Sequence, residues 1–371
     1  MARALTQLKV ALVHDFLTTM GGAERVTQAL SEIFPQAPIC TLLYHPRVGQ
    51  YFPGKKIIVS SLQRWHRNLR IPTKYLFPFM PQAIESFDLS GYDLVISSNN
   101  SFAGGIITDP NTFHLSYCHS PTRYLWDATH TYVDEQRLPV WVKNIVRAQL
   151  SDLRIWDRLA AGRVQRYIAN SHNVERRIRK YYRRDADVIY PPVDTHKIKP
   201  KSGNSGYFLV VSRLVSYKRI DLAIKACNVL KLPLLIIGEG EHRSVLERLA
   251  GPTVEFLGWQ EDKSKIEYLR NSRALIFPGE EDFGIVPVEA MAAGKPVIAF
   301  NKGGVTESIK AGVTGIFFDE SSTQSLVSAL RRFMALERKL NYREISQYAG
   351  RFSRERFKEE IMTVVTKVLS A

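Results

Sequence analysis

At 371 residues the chain is long enough for about two domains, each with its own core. Its apolar and charged fractions are those of a soluble globular protein, and no apolar run approaches the roughly 18 residues a spanning helix needs. The net charge of +15 points to an anionic partner, and the three scattered cysteines, Cys40, Cys118 and Cys227, exclude a disulfide framework and imply a reducing compartment.

Lys9 leads directly into Val10-Ala11-Leu12-Val13, which reads as a first strand (residues 9–16) rather than a signal peptide, so the expected location is cytoplasmic. Gly21-Gly22 makes a turn, and Val26, Leu30, Ile33 and Phe34 share one face of a helix over 24–34. Between Glu32 and Glu85 there is no acidic residue, while Arg47, Lys55, Lys56, Arg64, Arg67, Arg70 and Lys74 are basic and Trp65, Tyr75, Phe77 and Phe79 lie in and beyond the run. Such a stretch is a solvated basic face, a nucleic-acid surface, or a patch that lies on an anionic membrane. Further strands are expected at 57–59, 93–98, 113–118 and 166–169, with helices ending near 161 and over 174–182.

Proline, lysine, glycine and serine crowd residues 190–194 and 199–206, the composition of an interdomain linker. Strands at 208–211, 234–237, 254–257, 274–277 and 297–300 then alternate with helices at 220–230 and 244–249 and with further helices toward the C-terminus. Alternation in both halves predicts an α/β protein of two doubly wound parallel sheets, with a ligand site in the cleft where they face each other.

The chemistry concentrates in Glu280-Glu281-Asp282-Phe283-Gly284-Ile285-Val286-Pro287-Val288-Glu289. Pro287 suits the first turn of a helix, Gly294 its stop, and the helix is expected from about Val286 with Glu289 in its first turn. Free amides at that turn attract an anion, whereas carboxylates there accept hydroxyls, so sugar, ribose and phosphate are the expected guests. Glu281 and Glu289 read equally as a capping and a solvated carboxylate. Arg213 and Lys218, between a strand and a helix, either grip phosphate or form a surface loop. Gly21-Gly22 is a phosphate loop or only a turn, and His119, closing a strand before Pro121, meets substrate or is structural. The Gly238-Glu239-Gly240 stretch matches the dinucleotide fingerprint only in part, and no cluster has metal spacing.

With these pieces placed, the chain resembles the family 4 retaining glycosyltransferases of the GT-B fold over essentially its whole length. Glu281 and Glu289 stand as that family's E-x7-E motif, Arg213 and Lys218 as its diphosphate-binding pair, Gly21-Gly22 as its glycine loop, and His119 as the histidine facing the donor sugar. A narrower likeness to O-antigen mannosyltransferases rests on Val13-His14-Asp15-Phe16-Leu17, the stretch from Phe87 to Val95, Tyr117-Cys118-His119-Ser120-Pro121-Thr122-Arg123-Tyr124, and the stretch from Val188 to Asp194. The run Glu280-Glu281-Asp282 carries more acids than many relatives have.

The resemblance implies two Rossmann-like domains: an acceptor-binding domain over 1–195 and a nucleotide-sugar domain over 196–350, with a C-terminal helix in 351–371 that packs back on the first. It implies catalytic roles for His119, Arg213, Lys218 and Glu281. Donor contacts fall to Gly21, Gly22, Gly258, Phe283, Gly284, Ile285, Val286 and Glu289, with Gly258-Trp259 framing the base. No metal or other cofactor is expected. The partners are a nucleotide-sugar donor, GDP-mannose by the narrower likeness, and a lipid-linked saccharide acceptor. An anionic membrane surface is met peripherally, on its cytoplasmic side, through Arg64, Trp65, Arg67, Arg70 and Lys74. A UDP-sugar enzyme and a non-catalytic polyanion- or nucleic-acid-binding protein are the competing expectations, nucleic acid being disfavoured by the intact site.

Overall fold

The computed structural model describes residues 8–134 and 139–370, apart from the side chains at 74, 131, 132 and 134. The chain forms two units: one runs to Tyr190 and resumes at Lys358, and the other spans Pro191–Phe357.

In the first unit Val10-Ala11-Leu12-Val13 has no polar alternation because β1 (Val10–Leu17) is covered on both faces, as a central parallel strand must be. Beside it lie β2 (Ile39–Tyr44), β3 (Ile57–Val59), β4 (Leu94–Asn99), β5 (Phe113–Cys118), β6 (Arg166–Ala169) and β7 (Ala186–Val188), all parallel, in the order β3-β2-β1-β4-β5-β6-β7. The order reverses between β1 and β4, where His14 pairs in register with Ser98, so the carboxyl ends of these strands open at a topological switch point. Its helices include α1 (Gly22–Ile33), α2 (Leu62–Asn68) and the long α3 (Val140–Ala160). Strands β2 and β7 were not foreseen from sequence. β2 carries Thr41 within a short apolar run, and β7 is only Ala186-Asp187-Val188, with no apolar run at all.

The second unit holds β8 (Phe208–Val211), β9 (Leu234–Ile237), β10 (Val254–Gly258), β11 (Ala274–Phe277), β12 (Val297–Phe300) and β13 (Gly315–Phe318), again parallel, in the order β10-β9-β8-β11-β12-β13. Its switch point lies between β8 and β11. Helices α4 (Ile220–Leu230), α5 (Asp262–Asn271), α6 (Ile285–Ala292), α7 (Thr323–Leu336), α8 (Tyr342–Ala349) and α9 (Arg354–Leu369) follow. The core packs Phe208, Val210, Ile236 and Ile276 of the sheet against Leu330 and Phe333 of α7.

The chain passes between the units at Tyr190–Pro191, the start of the stretch expected to be a linker, and the rest of that stretch is stitched into the second unit. Asp194 takes Arg354 at 2.7 Å, Val193 bridges Ser353, and the amides of Lys201 and Ser205 donate to the carbonyls of Ala293 and Asn271. Its proline and glycine content reflects irregular backbone tied to the body, not a free tether. From Lys358 onward α9 belongs with the first unit, where Lys358 meets Glu32 of α1 at 2.6 Å.

Candidate functional site

At the β8–β11 switch point the second unit brings its predicted residues together. The loop after β8 carries Arg213 and Lys218. Its Leu214 amide donates to the Glu239 carbonyl, and the Leu214 carbonyl in turn accepts from the His242 amide. Gly238 makes that seat possible: at φ +137° it lies where any Cβ would stand 1.8 Å from the Ser212 carbonyl oxygen. The partial dinucleotide fingerprint is thus a packing device for the arginine–lysine loop. Arg213 reaches outward and donates to the Tyr217 hydroxyl at 2.9 Å. Lys218 turns inward, its Nζ 2.5 Å from Glu281 Oε1 and 5.2 Å from the centre of the Tyr217 ring.

Glu281 lies in the loop between β11 and α6. Its carbonyl accepts the Gly304 amide at 2.8 Å, and its backbone bridges Gly303. Helix α6 begins at Ile285 after Gly284, whose φ of +91° turns the chain into the helix as few other residues could. Gly284, Ile285 and Val286 therefore present first-turn amides with no carbonyl a turn behind them, while Pro287 has no amide to leave unpaired. Phe283 is buried and packs edge-on against Phe352 at 5.6 Å.

Glu289 is the fifth residue of α6, so it stands in the second turn and not, as expected, in the first. It is only 5% exposed. Oε1 accepts from Lys265 Nζ of α5 at 2.9 Å, and Lys265 also meets Asp262 at 3.1 Å. Oε2 is buried with no hydrogen-bond partner among the described residues. A buried carboxylate oxygen without a donor is costly, so a hydroxyl that reached it would relieve that cost. Gly258 ends β10 at φ +67°, and Trp259 beside it is exposed.

The first unit assembles a second group at its own switch point. Asp15 is buried near the end of β1, and its carboxylate accepts four backbone amides, from Asn100, Ser101, Phe102 and Ala103, at 2.6–3.0 Å. This pins the loop after β4. His14 lies beside the Ser98 carbonyl at 3.0 Å through Nδ1 and Glu24 Oε1 at 3.4 Å through Nε2. Glu24 Oε2 takes the Gly21 amide at 2.8 Å, so one donor of the glycine loop is already engaged by a carboxylate. Burial alone would push the His14 pKa down, but the Glu24 hydrogen bond and charge, with Asp15 and the Ser98 carbonyl, leave it raised.

His119 is 9% exposed and shares a 2.8 Å hydrogen bond with the Ser98 hydroxyl through Nε2. Its Nδ1 has no partner among the described residues. Burial, with His14 nearby, holds its pKa down at about 3, so the ring is neutral at physiological pH and offers hydrogen bonds rather than a proton. Ser98, His14 and Glu24 form a continuous polar chain from His119 to the Gly21 loop.

On the surface of the same unit, Arg64, Trp65, Arg67 and Arg70 are exposed on and just beyond α2, with Trp65 against Phe79 at 5.5 Å. Leu69 and Tyr75 are exposed in the same stretch, and the Lys74 side chain lies outside the described residues. Helix α3 adds exposed Trp141, Ile145, Ile155 and Leu159, spaced to share one face. No helix among the described residues is long and apolar enough to cross a membrane, and no three metal-binding side chains converge among them.

Sequence reasoning missed Lys265, Glu24, His14 and the Gly303-Gly304 seat. Only the capping pattern of Glu24, three residues after Gly21, was visible as a local signal.

Comparisons with known proteins bear on this arrangement. Residues 194–352 match the family described as glycosyl transferases group 1, and residues 20–197 match glycosyltransferase family 4. The alpha-1,3/1,6-mannosyltransferase ALG2 of Homo sapiens is 27% identical over 294 residues, covering 69% of this chain and 68% of its own. Sucrose-phosphate synthase from Thermosynechococcus elongatus superposes with a TM-score of 0.75 at 16% identity, over 98% of this chain and 100% of that one. Anabaena Alr3699/HepE in complex with UDP-glucose gives a TM-score of 0.70 at 19% identity, over 97% of this chain and 100% of its own. The structural likeness establishes the fold as GT-B.

Proposed function

The chain belongs to the group 1, family 4 glycosyltransferases, and we propose that within them it is a retaining mannosyltransferase that uses GDP-mannose and a lipid-linked glycan acceptor in surface polysaccharide assembly. The observation that carries a nucleotide-sugar donor is the buried, donorless Oε2 of Glu289 in the second turn of α6, the helix whose open first turn follows the loop of Glu281 and its partner Lys218. Mannose is favoured by the kinship with the mannosyltransferase ALG2.

In this reading Glu289 holds the ribose hydroxyls and the amides of Phe283, Gly284, Ile285 and Val286 meet sugar and diphosphate. Without donor, Lys218 and Glu281 satisfy each other. With donor, Lys218 and Arg213 turn to the diphosphate while Glu281 accepts from sugar hydroxyls. As the bond from the anomeric carbon to the phosphate oxygen breaks, negative charge grows on the leaving diphosphate, where both cations stabilise it most. The acceptor hydroxyl attacks the face just vacated and gives its proton to the departing phosphate oxygen, so the anomeric configuration is kept and no protein base is needed. The two cations do the neutralising work a metal ion would otherwise do. His119, neutral, with Nδ1 open, orients a hydroxyl. The α2 patch holds the enzyme peripherally on the anionic cytoplasmic face of a membrane.

The test is a panel of GDP-, UDP- and ADP-sugars, scored by thermal stabilisation and by turnover, with the product's anomeric signal read by NMR. GDP-mannose should stand out and the α configuration should persist with EDTA present. A stronger response to a UDP-sugar would move the donor assignment, and an inverted anomer would overturn the mechanism.

A further inference from the structure

A recess in the second unit lies at the opposite ends of the strands from the proposed donor-binding residues. It is a groove of about 470 Å³, lined by the segments that lead into β8, β11 and β12, whereas Arg213 and Glu281 follow the carboxyl ends of β8 and β11. Its size suits a small ligand. Four cations line it, Lys201, Arg273, Lys295 and Arg338, against a single carboxylate, Glu337. That carboxylate is already committed to the Arg273 guanidinium, which it meets with both oxygens.

Lys295 is the unusual member. It is 4% exposed, yet among the described residues its ammonium finds only the Gly203 carbonyl and no carboxylate. Burial, with Lys201 and Arg270 nearby, pushes its pKa down to about 8. A lysine this deep normally pairs with a counter-charge, because an unpaired buried ammonium costs several kcal/mol. Lys201 adds to the unpaired charge, its own ammonium donating only to the neutral Asn271 side-chain oxygen at 2.5 Å. The groove therefore holds a surplus of fixed positive charge, with unused ammonium hydrogens and an exposed guanidinium, Arg338, at hand.

We propose that this groove binds a phosphate dianion, free or carried on a small metabolite, with Lys295 as its buried anchor and Lys201 and Arg338 completing the charge. Such a ligand occupies the amino ends of the strands and leaves the donor-binding ends free. It would tie the loop around Gly203 to the body of the sheet through Lys295.

The test is calorimetric titration of the full chain with inorganic phosphate and, separately, with ribose 5-phosphate. The wild type, Lys295→Met, Arg338→Ala and Arg213→Ala proteins are compared, each checked for an unchanged thermal midpoint. We expect saturable binding that survives Arg213→Ala and weakens about tenfold or more in Lys295→Met, the loss of a charge-assisted contact. Arg338→Ala should weaken it less, and serves alone if Lys295→Met does not fold. Tighter binding of ribose 5-phosphate than of phosphate identifies an ester as the ligand, and equal or weaker binding identifies the free anion. Absence of saturable binding, or binding lost in Arg213→Ala but kept in the two groove variants, overturns the proposal.

Discussion

Replacing Glu289 by alanine separates a ligand-binding carboxylate from a structural ion pair. In a purely structural pair, removing one partner strands the other, at a cost of about 3–5 kcal/mol of stability when both are deeply buried. Here Lys265 keeps Asp262 at 3.1 Å, and the lost carboxylate also carried a donorless buried oxygen. Those two facts reduce the cost in the empty enzyme to about 1–2 kcal/mol, since an unsatisfied buried acceptor is itself worth about 1–3 kcal/mol of destabilisation. Donor affinity should fall much further. Each hydrogen bond from a ribose hydroxyl to this carboxylate contributes about 1.5–3 kcal/mol, so KM should rise roughly ten- to hundredfold per bond lost. Because the ribose is remote from the breaking bond, kcat should fall less than kcat/KM. The assay pairs urea melts with steady-state kinetics, and adds a 2′,3′-dideoxy donor to close a double-mutant cycle. The dideoxy donor should bind wild type about as weakly as the variant binds the normal one, and the variant should not distinguish them. A variant that loses several kcal/mol of stability while keeping KM and the dideoxy discrimination would refute the reasoning.

Lys218→Met should lower kcat by about two to three orders of magnitude, as removal of a preorganised transition-state contact does, while the melting temperature holds because the Lys218–Glu281 pair is partly exposed; unchanged turnover would remove Lys218 from the mechanism. Replacing Arg64, Arg67 and Arg70 together by glutamine should cut binding to vesicles of anionic lipid by roughly a hundredfold, at about fivefold per basic residue. Equal sedimentation with those vesicles would make the patch a solvated face. The depressed His119 pKa of about 3 means that the unfolded chain takes up this residue's proton first as pH falls below the ordinary value of 6.5, so its contribution to stability declines on acidification. The stability gap between wild type and His119→Asn should therefore shift by about 1 kcal/mol between pH 7 and pH 5.5, in the variant's favour. A gap that is constant across that range would show that His119 is not held neutral by burial.

What the sequence made legible follows a physical division. Strands bounded by glycine or proline and helices with a clear apolar face were readable, because those signals are local. The α6 motif was readable to within a residue, since Pro287 and Gly294 punctuate it. β2 escaped because Thr41 interrupts its short apolar run, where β1 opens on four apolar residues, and residues 190–206 mark the passage between the units but are tied down beyond it, since proline and glycine mark irregular backbone whether or not it is free. Helix α5 opens Asp262-Lys263-Ser264-Lys265, and nothing local in that run distinguishes Lys265 from Lys263 as the lysine that reaches Glu289. Only the packing of α5 beside α6 does so. Gly303-Gly304 escaped for the same reason, since its role is set by the approach of the Glu281 loop from elsewhere in the chain.

The two motif carboxylates are built alike, and their differences assign their work. Each gives one oxygen to a lysine, Glu281 to Lys218 and Glu289 to Lys265. A spacing of two acids cannot show this, because each lysine comes from a different element. Lys218 sits on a loop with its carboxylate 24% exposed, so that pair can open when a diphosphate offers Lys218 a stronger partner. Lys265 and Glu289 are 12% and 6% exposed at the side chain, and Lys265 is further held by Asp262. That pair stays closed and presents one fixed acceptor oxygen. A couple that exchanges partners belongs where charge changes during reaction, and a couple that does not belongs where a constant group is recognised. On the proposed reading, Glu281 therefore goes with the reacting sugar, and Glu289 with the ribose.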